Sequence, residues 1–271
     1  MKLKKYKNIT EIDDQIIRNV FLLLKNINNS VAHTKNITSI EKYYNDFVSN
    51  VDLQIQSFLK LGLPNICNVP CISEESDQND KKYISYWIID PIDGTTNYLH
   101  SYPSYCVSIA LILEGEIHYG FVYNLVNKEL FIAKLNQGSI LTSTTNGNIK
   151  KISPSKINIL KNAIIGFGCP YDKSKIGKLF DILKPLILEC QDLKRNGPAS
   201  LDICYVACGR LDGYLELDLK EWDYAAAKLI LQEAGGMISN WYGETYLQGQ
   251  NDILVTNFDL YLVLLNKVHK L

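Results

Sequence analysis

Trp87-Ile88-Ile89-Asp90-Pro91-Ile92-Asp93-Gly94-Thr95-Thr96-Asn97-Tyr98-Leu99-His100 begins in apolar side chains and ends in a polar turn. The run from Tyr83 to Ile89 reads as a buried strand. It stops at two carboxylates three positions apart, Asp90 and Asp93, with Pro91 between them fixing one backbone dihedral and offering no N–H. Gly94 permits a tight turn or the close approach of a ligand, and Thr95 and Thr96 are helix-capping types. A strand feeding a short helix in this way offers two kinds of group side by side. Asp90, Asp93 and the Ile92 carbonyl are hard oxygen donors of the kind Mg²⁺ takes, and the Gly94 and Thr95 amides suit phosphate oxygens. Metal-assisted phosphoryl hydrolysis needs both. The plainer reading of the same residues is a strand followed by an acidic turn.

Upstream, Ile12, Ile16, Val20, Phe21 and Leu24 follow helical spacing and predict a helix over 11–27, followed by a polar loop over 29–44. A second helix carries Ile55, Phe58 and Leu59, with Asp52 in its first turns, where the helix dipole favours an acid. A short strand over 68–72 delivers Glu74 and Glu75 at its end, and a polar loop over 76–82 precedes the central strand. Downstream, the runs 105–113, 116–124, 128–134 and 138–143, joined by Gly-containing turns, predict hairpins of a mostly antiparallel sheet.

Polar residues 142–156 mark a boundary, giving halves of 1–150 and 151–271. In the second half strands (162–168, 191–195, 211–217, 236–240, 252–256) alternate with helices (175–189, 199–209, 223–234, 258–269), the signature of an α/β layer. Glu221-Trp222-Asp223 opens the Ala-rich helix of this half. That is an ordinary capped core helix, and also a place from which Asp223 can reach a metal.

Composition narrows the function. With 28 basic and 29 acidic residues the net charge is −1, so the chain has no general attraction to nucleic acid or membrane, and any acidic cluster is a local feature. Hydrophobic residues make up 46%, enough for a large core. The seven cysteines form no C-x-x-C pair and lack His at zinc-finger spacing, so they read as reduced core thiols. No run approaches the length of a membrane span and the basic N-terminus leads into acidic residues, from which a soluble cytoplasmic protein is expected.

W-I-I-D-P-I-D-G-T-T-N-Y resembles the signature of the inositol monophosphatase family, the Mg²⁺-dependent, lithium-sensitive phosphatases. Three more elements follow in family order: D-F-V-S-N-V-D (46–52), with Ser49 where Thr is usual, S-E-E-S (73–76) and E-W-D-Y-A-A-A (221–227). The resemblance implies an α/β, layered αβαβα sandwich and a site holding two or three Mg²⁺. Glu74, Asp90 and the Ile92 carbonyl would hold one ion, and Asp90, Asp93 and Asp223 a second. Thr95, hydrogen-bonded to Asp52, would orient the attacking water with the help of Glu74, while Gly94 and Thr95 hold phosphate oxygens. On the alcohol side the resemblance implicates Glu216, the Gly197-Pro198-Ala199 turn and Lys194, the last two departing from family usage.

Two carboxylates about 4 Å apart repel by roughly 4 kcal/mol at an effective dielectric near 20, so such a gathering calls for divalent cations. The implied substrate is a small phosphorylated polyol, inositol 1-phosphate first, with adenosine bisphosphate and fructose bisphosphate as rivals. Ala199-Ser200-Leu201-Asp202 resembles the inositol-phosphatase type and argues against a bisphosphate nucleotidase, which tends to carry Lys at the Asp202 position. The resemblance also implies a homodimer. Bacterial relatives further take part in antitermination of ribosomal RNA transcription through RNA polymerase and its factors, a role that binding alone would satisfy.

Overall fold

The computed structural model describes residues 2–3, 6–31, 38–43, 46–75, 83–244 and 252–269. The elements are α1 (Gln15–Val31), β1 (Ser39–Tyr43), β2 (Asp46–Ser49), α2 (Asn50–Ile66), β3 (Cys71–Ser73), β4 (Tyr86–Asp93), α3 (Thr95–Leu99) and β5 (Cys106–Leu113). They continue with β6 (Glu116–Asn124), β7 (Glu129–Lys134), β8 (Gly138–Ser143), β9 (Lys150–Lys151), β10 (Ile164–Phe167), α4 (Ile176–Glu189) and β11 (Asp192–Lys194). The chain closes with α5 (Ala199–Ala207), β12 (Gly213–Glu216), α6 (Glu221–Ala234), β13 (Met237–Ser239), β14 (Ile253–Thr256) and α7 (Tyr261–Val268).

Strand periodicity organises these into five layers. Successive side chains on a strand face opposite ways, and β4 sends Trp87 and Ile89 to one core and Tyr86 and Ile88 to another. The first core is closed by α1 and α2 through Ile17, Val20, Leu24, Ile55 and Leu59. The second is closed by α5 and α6 through Leu201, Cys204, Ala226 and Ile230. β12 repeats the division, with Tyr214 joining the α5–α6 core and Leu215 a third core covered by α4 and α7. The order α, β, α, β, α follows, as the family resemblance implies. The seven-stranded sheet runs β3-β4-β5-β6-β7-β8-β9 and is antiparallel except for the β3–β4 pair. The five-stranded sheet runs β11-β10-β12-β14-β13, with β10 parallel to both its neighbours and β14 antiparallel to both of its own.

Two sequence expectations are corrected. The first helix starts at Gln15 and runs to Val31, because Asp14 accepts from the Ile17 amide at 3.1 Å and caps it, while Ile9–Glu11 forms a separate 3₁₀ turn. Within the expected loop over 29–44, Ser39–Tyr43 is a strand paired with β2. Its residues 39–41 are exposed, so no apolar alternation announces it. Residues 32–37 and 44–45 of that loop, and the loop expected over 76–82, lie outside the described residues.

One close approach fixes the central helix. A Cβ on Gly120 of β6 would stand 2.5 Å from the backbone oxygen of Ala226 in α6, so α6 lies directly on the sheet there. Gly120→Ala should therefore cost about 3 kcal/mol, at the upper end of overpacking effects. Urea unfolding should show this as a lower midpoint with an unchanged slope. An unmoved midpoint would mean that α6 is not held at that distance.

Candidate active site

Asp90 and Asp93 owe their common orientation to a bulge. Three positions along a regular strand would put them on opposite faces. On β5, however, Asp90 pairs with Ser108 and Asp93 with Cys106, so β4 fits three steps against two. The extra residue falls where Pro91 has no amide to give the ladder, the ordinary setting for a bulge. Cys106 belongs to the core closed by α5 and α6, so both carboxylates are turned toward that helix layer.

The N-terminus of α6 is fastened to the same place. Tyr86 Oη donates to Glu221 Oε1 at 3.1 Å, and Ser108 Oγ donates to the Trp222 carbonyl at 3.2 Å. Asp223 Oδ2 accepts from the Lys220 amide at 2.7 Å, an N-terminal cap that leaves its other oxygen available. Glu74 arrives from β3, held by its amide on the Ile89 carbonyl at 3.2 Å.

These acids act on one another. Asp90 is 2% exposed and its Oδ1 has no hydrogen-bond partner among the described residues. Burial first, and then the charges of Glu74, Asp93, Asp223 and Asp52, push its carboxyl well above the usual range. Burial also raises Asp93 to about 6, against the hydrogen bonds it receives from Ser200. Burial, then Asp93 and Glu74, drives Asp223 well up. Among the described residues no three His, Cys, Asp or Glu side chains are drawn together as a closed ligand cage, although Glu74, Asp93, Asp223 and Asp52 all lie near enough for their charges to act on Asp90. Like charges repel at low dielectric, and Asp93 and Asp223 each give one oxygen to a backbone amide.

The remaining residues of the signature gather around Thr95 and the start of α3. Gly94 takes φ +93°, and a Cβ there would meet the Ser104 carbonyl at 3.1 Å and Pro198 Cβ at 3.3 Å. That close approach lets the 196–198 turn dock beside α3. Asn97 Nδ2 donates to the Ser104 and Asn196 carbonyls at 2.8 and 3.1 Å, and Ser104 Oγ donates to the Gly197 carbonyl at 2.6 Å. Thr95 Oγ1 lies 2.9 Å from Asp52 Oδ1 and 3.0 Å from the Ile92 carbonyl, so its single proton is committed to these acceptors. Asp52 is buried, and burial raises its pKa against hydrogen bonds from Ser49 and Thr95. The Ser49 amide and hydroxyl both donate to Asp52 Oδ2, so Ser supplies the cap in place of the Thr usual in the family.

Glu216, expected to face the alcohol, accepts from Tyr214 Oη, its strand neighbour two positions away on the same face. Its carboxyl is raised to about 8, by burial first and also by Asp93 and Asp202, with Arg195 opposing. Ala199 is buried at the start of α5, and Gly197 accepts from Ser104. Lys194 is exposed and its ammonium pairs with Asp192 on the same short strand. The neighbouring Arg195, also exposed, is near enough for its charge to act on Glu216.

Sequence reasoning also missed Tyr214, Ser104 and Ser200. Ser200 lies inside the quoted A-S-L-D, where a hydroxyl in the first turn of a helix was the available signal.

The family model described as the inositol monophosphatase family matches residues 5–270. Among relatives, the protein named Nus factor SuhB of Vibrio cholerae is 37% identical over 231 residues, 82% of this chain and 82% of its own. The crystal structure of extragenic suppressor protein suhB from Bartonella henselae superposes with a TM-score of 0.87 at 28% identity, covering 95% of this chain and 99% of that one. The inositol monophosphatase from Anabaena gives a TM-score of 0.74 at 29% identity, over 82% and 86% of the two chains.

Proposed function

The chain belongs to the inositol monophosphatase family, and from that premise we propose that it is a Mg²⁺-dependent phosphatase of small phosphate monoesters, inositol 1-phosphate first among them. The observation that carries this reading is Asp90: a buried carboxylate with an oxygen unpartnered among the described residues, in the field of four further acids and close in the chain to the glycine turn that opens a helix. Such an oxygen costs free energy unless something binds it, and the donor set is the hard, all-oxygen kind that magnesium prefers. Glu74, Asp90 and the Ile92 carbonyl would hold one ion, and Asp90, Asp93 and Asp223 another. When bound, such ions make water acidic enough to attack and neutralise charge growing on the leaving oxygen.

The chain's own residues do the rest. Thr95, its proton committed to Asp52 and the Ile92 carbonyl, offers only lone pairs to a water, so it accepts that water's hydrogen and turns the water's own lone pair outward. Buried Asp52, oriented by Ser49, keeps Thr95 in that state. Glu74, beside Asp90, is the base that takes the water's second proton. The Gly94 and Thr95 amides at the start of α3 grip the phosphoryl oxygens. Glu216, held by Tyr214, accepts hydrogen bonds from the hydroxyls of the departing polyol, with Gly197 and Ala199 shaping the wall beside it.

The decisive test is phosphate release with Mg²⁺ across a panel of inositol 1-phosphate, adenosine 3′,5′-bisphosphate and fructose 1,6-bisphosphate. Inositol 1-phosphate should be turned over best and chelator should abolish release. Preference for either bisphosphate would replace the substrate assignment, and release unaffected by chelator would sink the metal assignment.

The name of the Vibrio relative, Nus factor SuhB, supports a second reading, a protein that also binds the transcription machinery, and the family resemblance adds a homodimer to that proposal. Growth that survives Asp93→Asn but not deletion of the whole protein would favour that role over catalysis. Among the described residues no helix is long and apolar enough to cross a membrane.

A further inference from the structure

Asp93 Oδ2 receives two hydrogen bonds from one residue, the backbone amide of Ser200 at 2.9 Å and its hydroxyl. Ser200 is 0% exposed, in the first turn of α5, and its Oγ also lies 3.2 Å from Cys106 Sγ. The donors in this chain can be ordered. An ionised carboxylate only accepts, so the hydroxyl proton of Ser200 points to Asp93 and the thiol of Cys106 must be the donor to Ser200 Oγ. Burial keeps the Cys106 thiol protonated. Cys106 is also the residue opposite Asp93 in the ladder, so the bulge that aims Asp93 places the start of this relay beneath it.

We infer that Ser200 is a positioning residue for cation binding: its hydroxyl and amide saturate Asp93 Oδ2, fix the rotamer, and leave Oδ1 as the oxygen presented to a divalent ion, with Cys106 orienting the hydroxyl. The inference rests on the reading of Asp93 as a ligand. Partners of this kind set the direction and basicity of the ligand they hold, and their loss typically weakens metal binding about 10–100-fold. Ser200→Ala keeps the amide donor and removes only the hydroxyl, so the lower end of that range, about tenfold, applies.

Direct titration of the full-length chain with Mn²⁺, following free ion by electron paramagnetic resonance, measures this without turnover. Native protein should bind, Ser200→Ala should bind about tenfold more weakly, and Cys106→Ala should show a smaller loss of about threefold. Melting of the metal-free variants should stay close to native, which separates positioning from folding. Native-like affinity in a folded Ser200→Ala overturns the inference and leaves the metal site itself standing. No binding by native protein overturns both. If Ser200→Ala does not fold, Cys106→Ala decides: weakened affinity supports the relay and unchanged affinity overturns it.

Discussion

Asp90→Asn should abolish phosphate release and at the same time make the metal-free protein more stable. The catalytic half follows from Asp90 being shared by both proposed ions. Losing several kcal/mol of metal-derived stabilisation slows turnover by about a thousandfold or more, at 1.36 kcal/mol per tenfold. The stability half follows from burial. Asp90 is 2% exposed, carries an oxygen without a partner among the described residues, and faces the charges of Glu74, Asp93, Asp223 and Asp52. Asparagine is neutral, of equal size, and its amide can donate to those neighbouring carboxylates. A gain of about 1–3 kcal/mol at pH 8, or several degrees in melting temperature, is the expected scale. The trade is the familiar one in which an active site holds groups that folding alone would reject. Activity within tenfold of native would remove Asp90 from the ligand set, and a lower melting temperature in chelator would show that its carboxylate is stabilising as it stands.

The stretch 87–100 carried most of what was legible, because its chemistry and its geometry are both local. Apolar runs marked β4, β5 and β6, whose Trp87, Ile89, Ile109 and Phe121 are wholly buried. The Asp-Gly-Thr-Thr sequence gave the turn into α3, whose N-cap is Gly94. What stayed hidden depended on partners distant in the chain. The bulge that aligns Asp90 with Asp93 is a matter of register against Ser108 and Cys106, which composition does not encode. Residues 39–41 of β1 are exposed and the strand is held by backbone pairing with β2, so they carry no alternating hydrophobic signal. Ser200 meets Asp93 across 107 positions, and only the docking of the 196–198 turn against Gly94 brings them together.

The same crowded carboxylates fix the sign of the pH dependence. In chelator, stability should fall as pH rises from about 4 to about 8. In the folded chain burial raises Asp93 to about 6, Asp202 to about 7 and Glu216 to about 8, and drives Asp90 and Asp223 well above their ordinary values. Unfolded, Asp and Glu ionise near 3.8 and 4.5. Across that window the folded state therefore holds more protons than the unfolded state, and the slope of unfolding free energy against pH is negative. Each group that stays protonated only when folded removes about 1.4 kcal/mol per pH unit. Asp14 and Glu129, which folding shifts downward, act with the opposite sign only at and below the acid end of the window, around their unfolded values of 3.8 and 4.5.

Mg²⁺ should reverse the trend. Ions bind the ionised carboxylates and compete with the protons, so their stabilisation grows with pH. Thermal melts at about pH 5 and pH 8, in chelator and in Mg²⁺, should show a melting temperature that drops with pH in the first case and is flat or rising in the second. A melting temperature that rises with pH in chelator would mean that these acids are ionised without cost in the folded chain. The physical reason for placing divalent ions among them would go with it.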